Sequence, residues 1–148
     1  MKRRHRLFLV ILGLVLPVVL ACGKKGPPFL PERVIPYRVQ ELTAELKNGT
    51  VFLRGRVAGL EAQEKDRSRI TGCRIYHAWY AMEKSPCDEC PVDYSDVLEI
   101  EDEVVRGEDF SCEAAVKKKK GVHFFEVRLT GKDEAVGPPS NRTKLIIP

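Results

Sequence analysis

No uncharged run in this 148-residue chain is long enough to cross a bilayer and remain there. The apolar stretch LFLVILGLVLPVVL at residues 7–20 would extend about 21 Å as a helix against roughly 30 Å of hydrocarbon. Acids are missing from the first 22 residues, where Lys2, Arg3, Arg4 and Arg6 cluster. The net charge of +4 is therefore confined to that end, and the rest carries 21 basic and 21 acidic side chains. A balanced remainder has no field to steer a phosphate polymer, which excludes nucleic acid as the expected partner. Histidine is scarce, with three in the chain. There is no Gly-rich phosphate loop, nucleotide fingerprint or Ser/His/Asp order. No catalytic residue, no cofactor and no enzymatic activity are expected. Long helical periodicity and internal repeats are also missing, and the length suits one compact domain.

What the chain does have begins at its first residue. Residues 1–6 form a positive segment that stays on the cytoplasmic face while the apolar run inserts. At 14 residues that run suits the apolar region of an export signal better than a permanent span. It ends in Val19-Leu20-Ala21-Cys22, which resembles the bacterial lipobox: an aliphatic residue three before the cysteine and a small one just before it. Leu20 is bulkier than the residue usual at that place. The resemblance implies that residues 1–21 are a signal peptide and that the Cys22 thiol takes a diacylglyceryl group. Acyl chains, palmitate among them, would then hold the mature protein on a membrane, each buried methylene contributing about 0.8 kcal/mol. Residue 23 is Gly and not the Asp that retains many lipoproteins at the inner membrane. The expected address is thus the outer membrane, facing the periplasm.

Residues 22–36 read as the lipidated cysteine and a tether. Four prolines and two glycines follow Cys22 in GKKGPPFLPERVIP, and extended chain of this kind, at about 3.1 Å per residue, reaches some 40 Å. Cys22-Gly23-Lys24-Lys25-Gly26-Pro27, with Pro31 following, resembles the attachment motif C-G-x-K-G-P-x-x-x-P at the head of very short lipoproteins. One of those assists maturation of the lipopolysaccharide translocon. That resemblance implies an alternative role, as an accessory factor in assembling an outer-membrane machine.

From residue 37 to 148 the periodicity is that of strands. Val51, Leu53, Gly55 and Val57 alternate with Phe52, Arg54 and Arg56. Cys73, Ile75, His77 and Trp79 alternate with Arg74, Tyr76, Ala78 and Tyr80. Phe110, Cys112, Ala114 and Val116 form a third alternation, and His123, Phe125, Val127 and Leu129 a fourth. Residues 39–46 and 143–147 are further candidates. Turn signals separate them at Asn48-Gly49, Thr71-Gly72, Gly121, Gly131-Lys132-Asp133 and residues 137–141. Residues 94–105 suit either a strand or a short helix. The expected fold is all-β, an antiparallel sandwich of immunoglobulin-like type. Residues 70–76, ITGCRIY, resemble the third strand of a fibronectin type III domain. Residues 123–129 with 137–141 resemble its last hairpin, and residues 39–44 its first strand. Where that family often buries a tryptophan in the second strand, this chain has Gly55, and Trp79 or a disulfide is left to compensate.

Once Cys22 is lipidated, Cys73, Cys87, Cys90 and Cys112 remain. An even number in an exported domain points to disulfides, with three possible connectivities. Strand parity turns both Cys73 and Cys112 inward. A bond between them would close a loop of nearly forty residues, contributing about 3 to 4 kcal/mol in the chain-entropy model. Cys87 and Cys90 would then close their own small loop. A four-thiolate zinc site is one alternative, against which stand the oxidising compartment and the lack of a second close pair. Thiol–disulfide exchange at Cys87-Asp88-Glu89-Cys90 is another, but the two acids between the thiols raise thiol pKa. No metal is expected.

His77 and His123 both fall on the inward parity of predicted strands; a pair on neighbouring strands could bind metal, but satisfied core or edge histidines are the expectation. The lysine run at residues 117–120 and the acids at 99–103 read as solvated surface. The expected role is a non-catalytic envelope lipoprotein that binds another envelope protein or acts as an envelope scaffold. Residues 86–91, Tyr76 and Tyr80 are its exposed candidates.

Overall fold

The alternating segments pair as their periodicity requires. In a computed structural model describing residues 34–60, 68–117 and 119–148, they form β1 (Arg38–Lys47), β2 (Thr50–Ala58), β3 (Ile70–Tyr80), β4 (Asp96–Ile100), β5 (Val105–Arg106), β6 (Asp109–Ala114), β7 (Gly121–Gly131) and β8 (Thr143–Ile147). One sheet has the order β1-β2-β6-β5 and the other β4-β3-β7-β8, with every strand pairing antiparallel. This is an antiparallel sandwich in which successive hairpins, β1-β2, β3-β4, β5-β6 and β7-β8, alternate between the two sheets, the arrangement of immunoglobulin-like domains. The ambiguous residues 94–105 supply β4, not a helix.

The core lies between the inward parities. Leu53, Ile75, Phe125, Val127 and Leu129 are fully buried, and Phe110 and Val39 nearly so. Each such side chain contributes about 1.5–3 kcal/mol relative to exposure. Packing begins ahead of residue 37: Ile35 is buried in this core and Val34 bridges Val136. The lipobox and most of the tether lie outside the described residues.

Two local features differ from the sequence expectation. Thr71-Gly72 is not a turn but part of β3, where the register to β7 shifts. Glycine is required there because a Cβ would collide with the Ile100 carbonyl on β4. Gly55 leaves no hole. β1 carries a bulge between Gln40 and Thr43, with Glu41 at φ 53, which turns both Val39 and Leu42 inward. A Cβ on Gly55 would sit 2.7 Å from the Gln40 carbonyl oxygen and 2.8 Å from Val39 Cγ1. The bulged strand occupies the space, so no tryptophan is needed. Trp79 is half-buried and lies at the end of β3.

Candidate functional site

Cys22 lies outside the described residues. The other four cysteines separate into two pairs. Cys87 and Cys90 are joined by a disulfide, closing a turn in which the Cys90 N–H donates to the Cys87 carbonyl. Cys73 on β3 and Cys112 on β6 belong to opposite sheets and are thiols in this structure. They meet across the core: a hydrogen bond to Cys73, then burial, pushes the Cys112 thiol far above its ordinary range. Such a thiol is a poor nucleophile under native conditions.

The inward parity of the histidines brings them together. His77 Nε2 lies 3.0 Å from His123 Nδ1, with ring centroids 5.2 Å apart and planes inclined by 19°. The rings therefore meet edge to edge along the N···N line. His77 Nδ1 faces Asp96 Oδ2 at 3.3 Å, and His123 Nε2–H donates to the Lys119 carbonyl at 2.7 Å. Burial holds His77 below its ordinary pKa, His123 adds to this, and Asp96 opposes it. A metal ion needs lone pairs that converge on one outside point, whereas these point at each other. Among the described residues no group of three His, Cys, Asp or Glu side chains gathers as a metal site.

On the other side of the same sheet, residues 81–95 fold back over the strands. Tyr94 meets Tyr76 edge-on at 6.1 Å, and the Asp93 N–H donates to Tyr80 Oη. Arg142 donates to the Cys90 carbonyl, its guanidinium 5.5 Å over the Phe124 ring, and Lys144 pairs with Asp88 at 2.5 Å. This cover explains why Ala78 and Phe124, both on the outward parity, are 1% exposed. Burial, with Glu126 beside it, pushes the Tyr94 phenol up to about 12. Beyond the cover, Arg74 stands directly opposite Arg128. Arg74 is paired with Glu99 at 2.6 Å, while Arg128 lies over Tyr76 with its buried Nε 3.6 Å from Glu126 Oε1, an ion pair without a hydrogen bond.

Cys87 is exposed on this cover, and Tyr76 and Tyr80 are half-buried beside it. Sequence reasoning did not find Tyr94, Asp96, Arg128 or Arg142. Their signal was weak, because each gains its role from a contact between segments distant in sequence. No family model matches this chain, and no curated protein is significantly similar to it.

Proposed function

We propose that this chain is a membrane-anchored lipoprotein of the cell envelope whose sandwich is a non-catalytic module for binding another envelope protein. The lipobox-like Val19-Leu20-Ala21-Cys22 supports the anchor, with the outer membrane, periplasmic side, as its address. The observation that carries the binding role is the outer face of β3 and β7. There Tyr76, Tyr94, Arg74 and Arg128 form an aromatic and guanidinium surface, the composition enriched at protein interfaces. The disulfide-closed cover holds Tyr94 in place at little cost in side-chain order on binding. Cys73 and Cys112, already in contact, would join the sheets on oxidation in the envelope.

Two experiments test this. Cys22→Ala should abolish metabolic labelling by palmitate and release the chain from the membrane fraction; retained labelling would refute the anchor. A photo-crosslinking residue at Tyr76 should capture one discrete envelope protein in cells, whereas one at Phe52, on the other sheet's outer face, should not. Equal capture at both positions would remove the face from consideration.

A second reading, assistance in assembling the lipopolysaccharide transport machine, is favoured by one specific observation, the C-G-K-K-G-P tract at residues 22–27. Grafting residues 1–36 onto an inert exported domain separates the two. Function retained by the graft supports assembly help, and function lost supports the sandwich.

A further inference from the structure

The Asp96–His77–His123 chain ends on two acceptors, the Asp96 carboxylate and the Lys119 carbonyl. Four ring nitrogens lie between them. Three contacts need three protons, and two neutral imidazoles carry two. Because the Lys119 carbonyl only accepts, neutral His123 keeps its proton on Nε2 and offers the Nδ1 lone pair. His77 then donates from Nε2, and its Nδ1 faces Asp96 with no proton between. The separations follow that filling: 2.7, 3.0 and 3.3 Å from the carbonyl outward. A third proton fills the contact with Asp96. A fourth sets His123 Nδ1–H against His77 Nε2–H at 3.0 Å, and one ring must turn.

The segment after β6 depends on those rings. His123 holds the Lys119 carbonyl, Trp79 Nε1–H holds the Lys120 carbonyl at 3.1 Å, and the Lys119 ammonium lies 3.2 Å over the Trp79 ring. We propose that Asp96, His77 and His123 form a proton-counting latch that keeps Lys119 and Lys120 on Trp79 while the two rings carry two or three protons, and releases them at four. The groups facing the histidines are Asp96 with Ser95 ahead of β4, Lys117 and Lys119 from the segment after β6, and uncharged Phe125 and Trp79 from β7 and β3. Burial and the second ring oppose an added proton on His77, and Asp96 favours it. A cavity of about 490 Å³ beside the rings leaves room for one to turn.

Trp79 is the one tryptophan of the chain, so its emission reads the latch directly. The full chain in detergent is titrated from about pH 8 to about pH 4, spanning histidine ionisation, with far-ultraviolet circular dichroism recorded in parallel. The expected result is a shift of emission to longer wavelength below the ordinary histidine range while the sheet signal persists. Asp96→Asn, at a carboxylate 62% exposed and therefore safe for folding, should move the midpoint down by about one pH unit. His123→Gln should abolish the shift. No emission change, a change only with loss of the sheet signal, or an unmoved midpoint in Asp96→Asn would overturn the latch.

Discussion

Along β2 burial keeps step with the pleat: Val51, Leu53 and Val57 are buried while Arg54 and Arg56 are exposed. The first five residues of β7, Gly121 to Phe125, are all buried, and alternation returns only beyond them. Both strands lie inside their sheets, between two hydrogen-bonded neighbours. The difference comes from outside the sandwich: among the described residues, 81–95 add a partial third layer over one sheet, and no such layer covers β2's outer face. Burial in a sheet is thus set by what lies on each face, and an outward aromatic becomes core when a loop closes over it.

The largest effect should come from removing that buried outward aromatic. Phe124→Ala is expected to cost about 3–5 kcal/mol, as for a core phenylalanine. Phe52→Ala, outward on the bare face, should cost about 1 kcal/mol. Denaturant midpoints of the two variants measure the contrast, and equal losses would break it. Next in size is Asn141→Ala. The Asn141 side chain accepts from the Leu42 N–H at 2.7 Å and donates to the Leu42 carbonyl at 3.1 Å, pinning the β1 bulge. Leaving those groups unpaired should cost about 1–3 kcal/mol, read in the same assay.

Opening the cover itself should cost less. Cys87→Ser combined with Cys90→Ser removes closure of one small loop, about 2 kcal/mol or less by the chain-entropy relation. The more telling readout is Tyr94, whose ionisation should fall from about 12 toward the ordinary tyrosine value in an ultraviolet titration. If it does not move, the disulfide is not what holds the cover down. The smallest effect concerns pH. His77 titrates lower in the folded state than unfolded, so below the ordinary histidine value of about 6.5 the unfolded chain binds more protons. Its contribution to stability is therefore complete above that value and fades as pH falls through the folded one. Urea midpoints measured across this range should decline toward acid, and His77→Gln should flatten the decline.

Much of the sandwich was legible because half-buried antiparallel strands write their two faces into alternate residues. The same parity turned Cys73, Cys112, His77 and His123 inward. It failed where a position answers to something remote. Phe124 reads as solvent-facing because its cover comes from residues 81–95 and Arg142. Gly55 reads as a gap because the bulge that fills it is on β1. Asp96 opens a segment whose Val97, Leu98 and Ile100 fit a strand or a helix, and only the strand carries it to His77. The Lys119 carbonyl has no signature at all, since every residue has a backbone oxygen.

The register of the strands gives the domain a near end and a far end. Val34 bridges Val136 at the end where β2 finishes, β3 starts and β7 finishes. Lys47 pairs with Thr50, and Tyr80 with Val122, at the opposite end. The ten residues of β1 at about 3.4 Å each separate the two by roughly 30 Å. A chain arriving at Val34 therefore enters at one pole, while the lysines beside Trp79 sit at the other. Any partner of those lysines would meet the domain at its tip, a full strand length from the point where the chain enters.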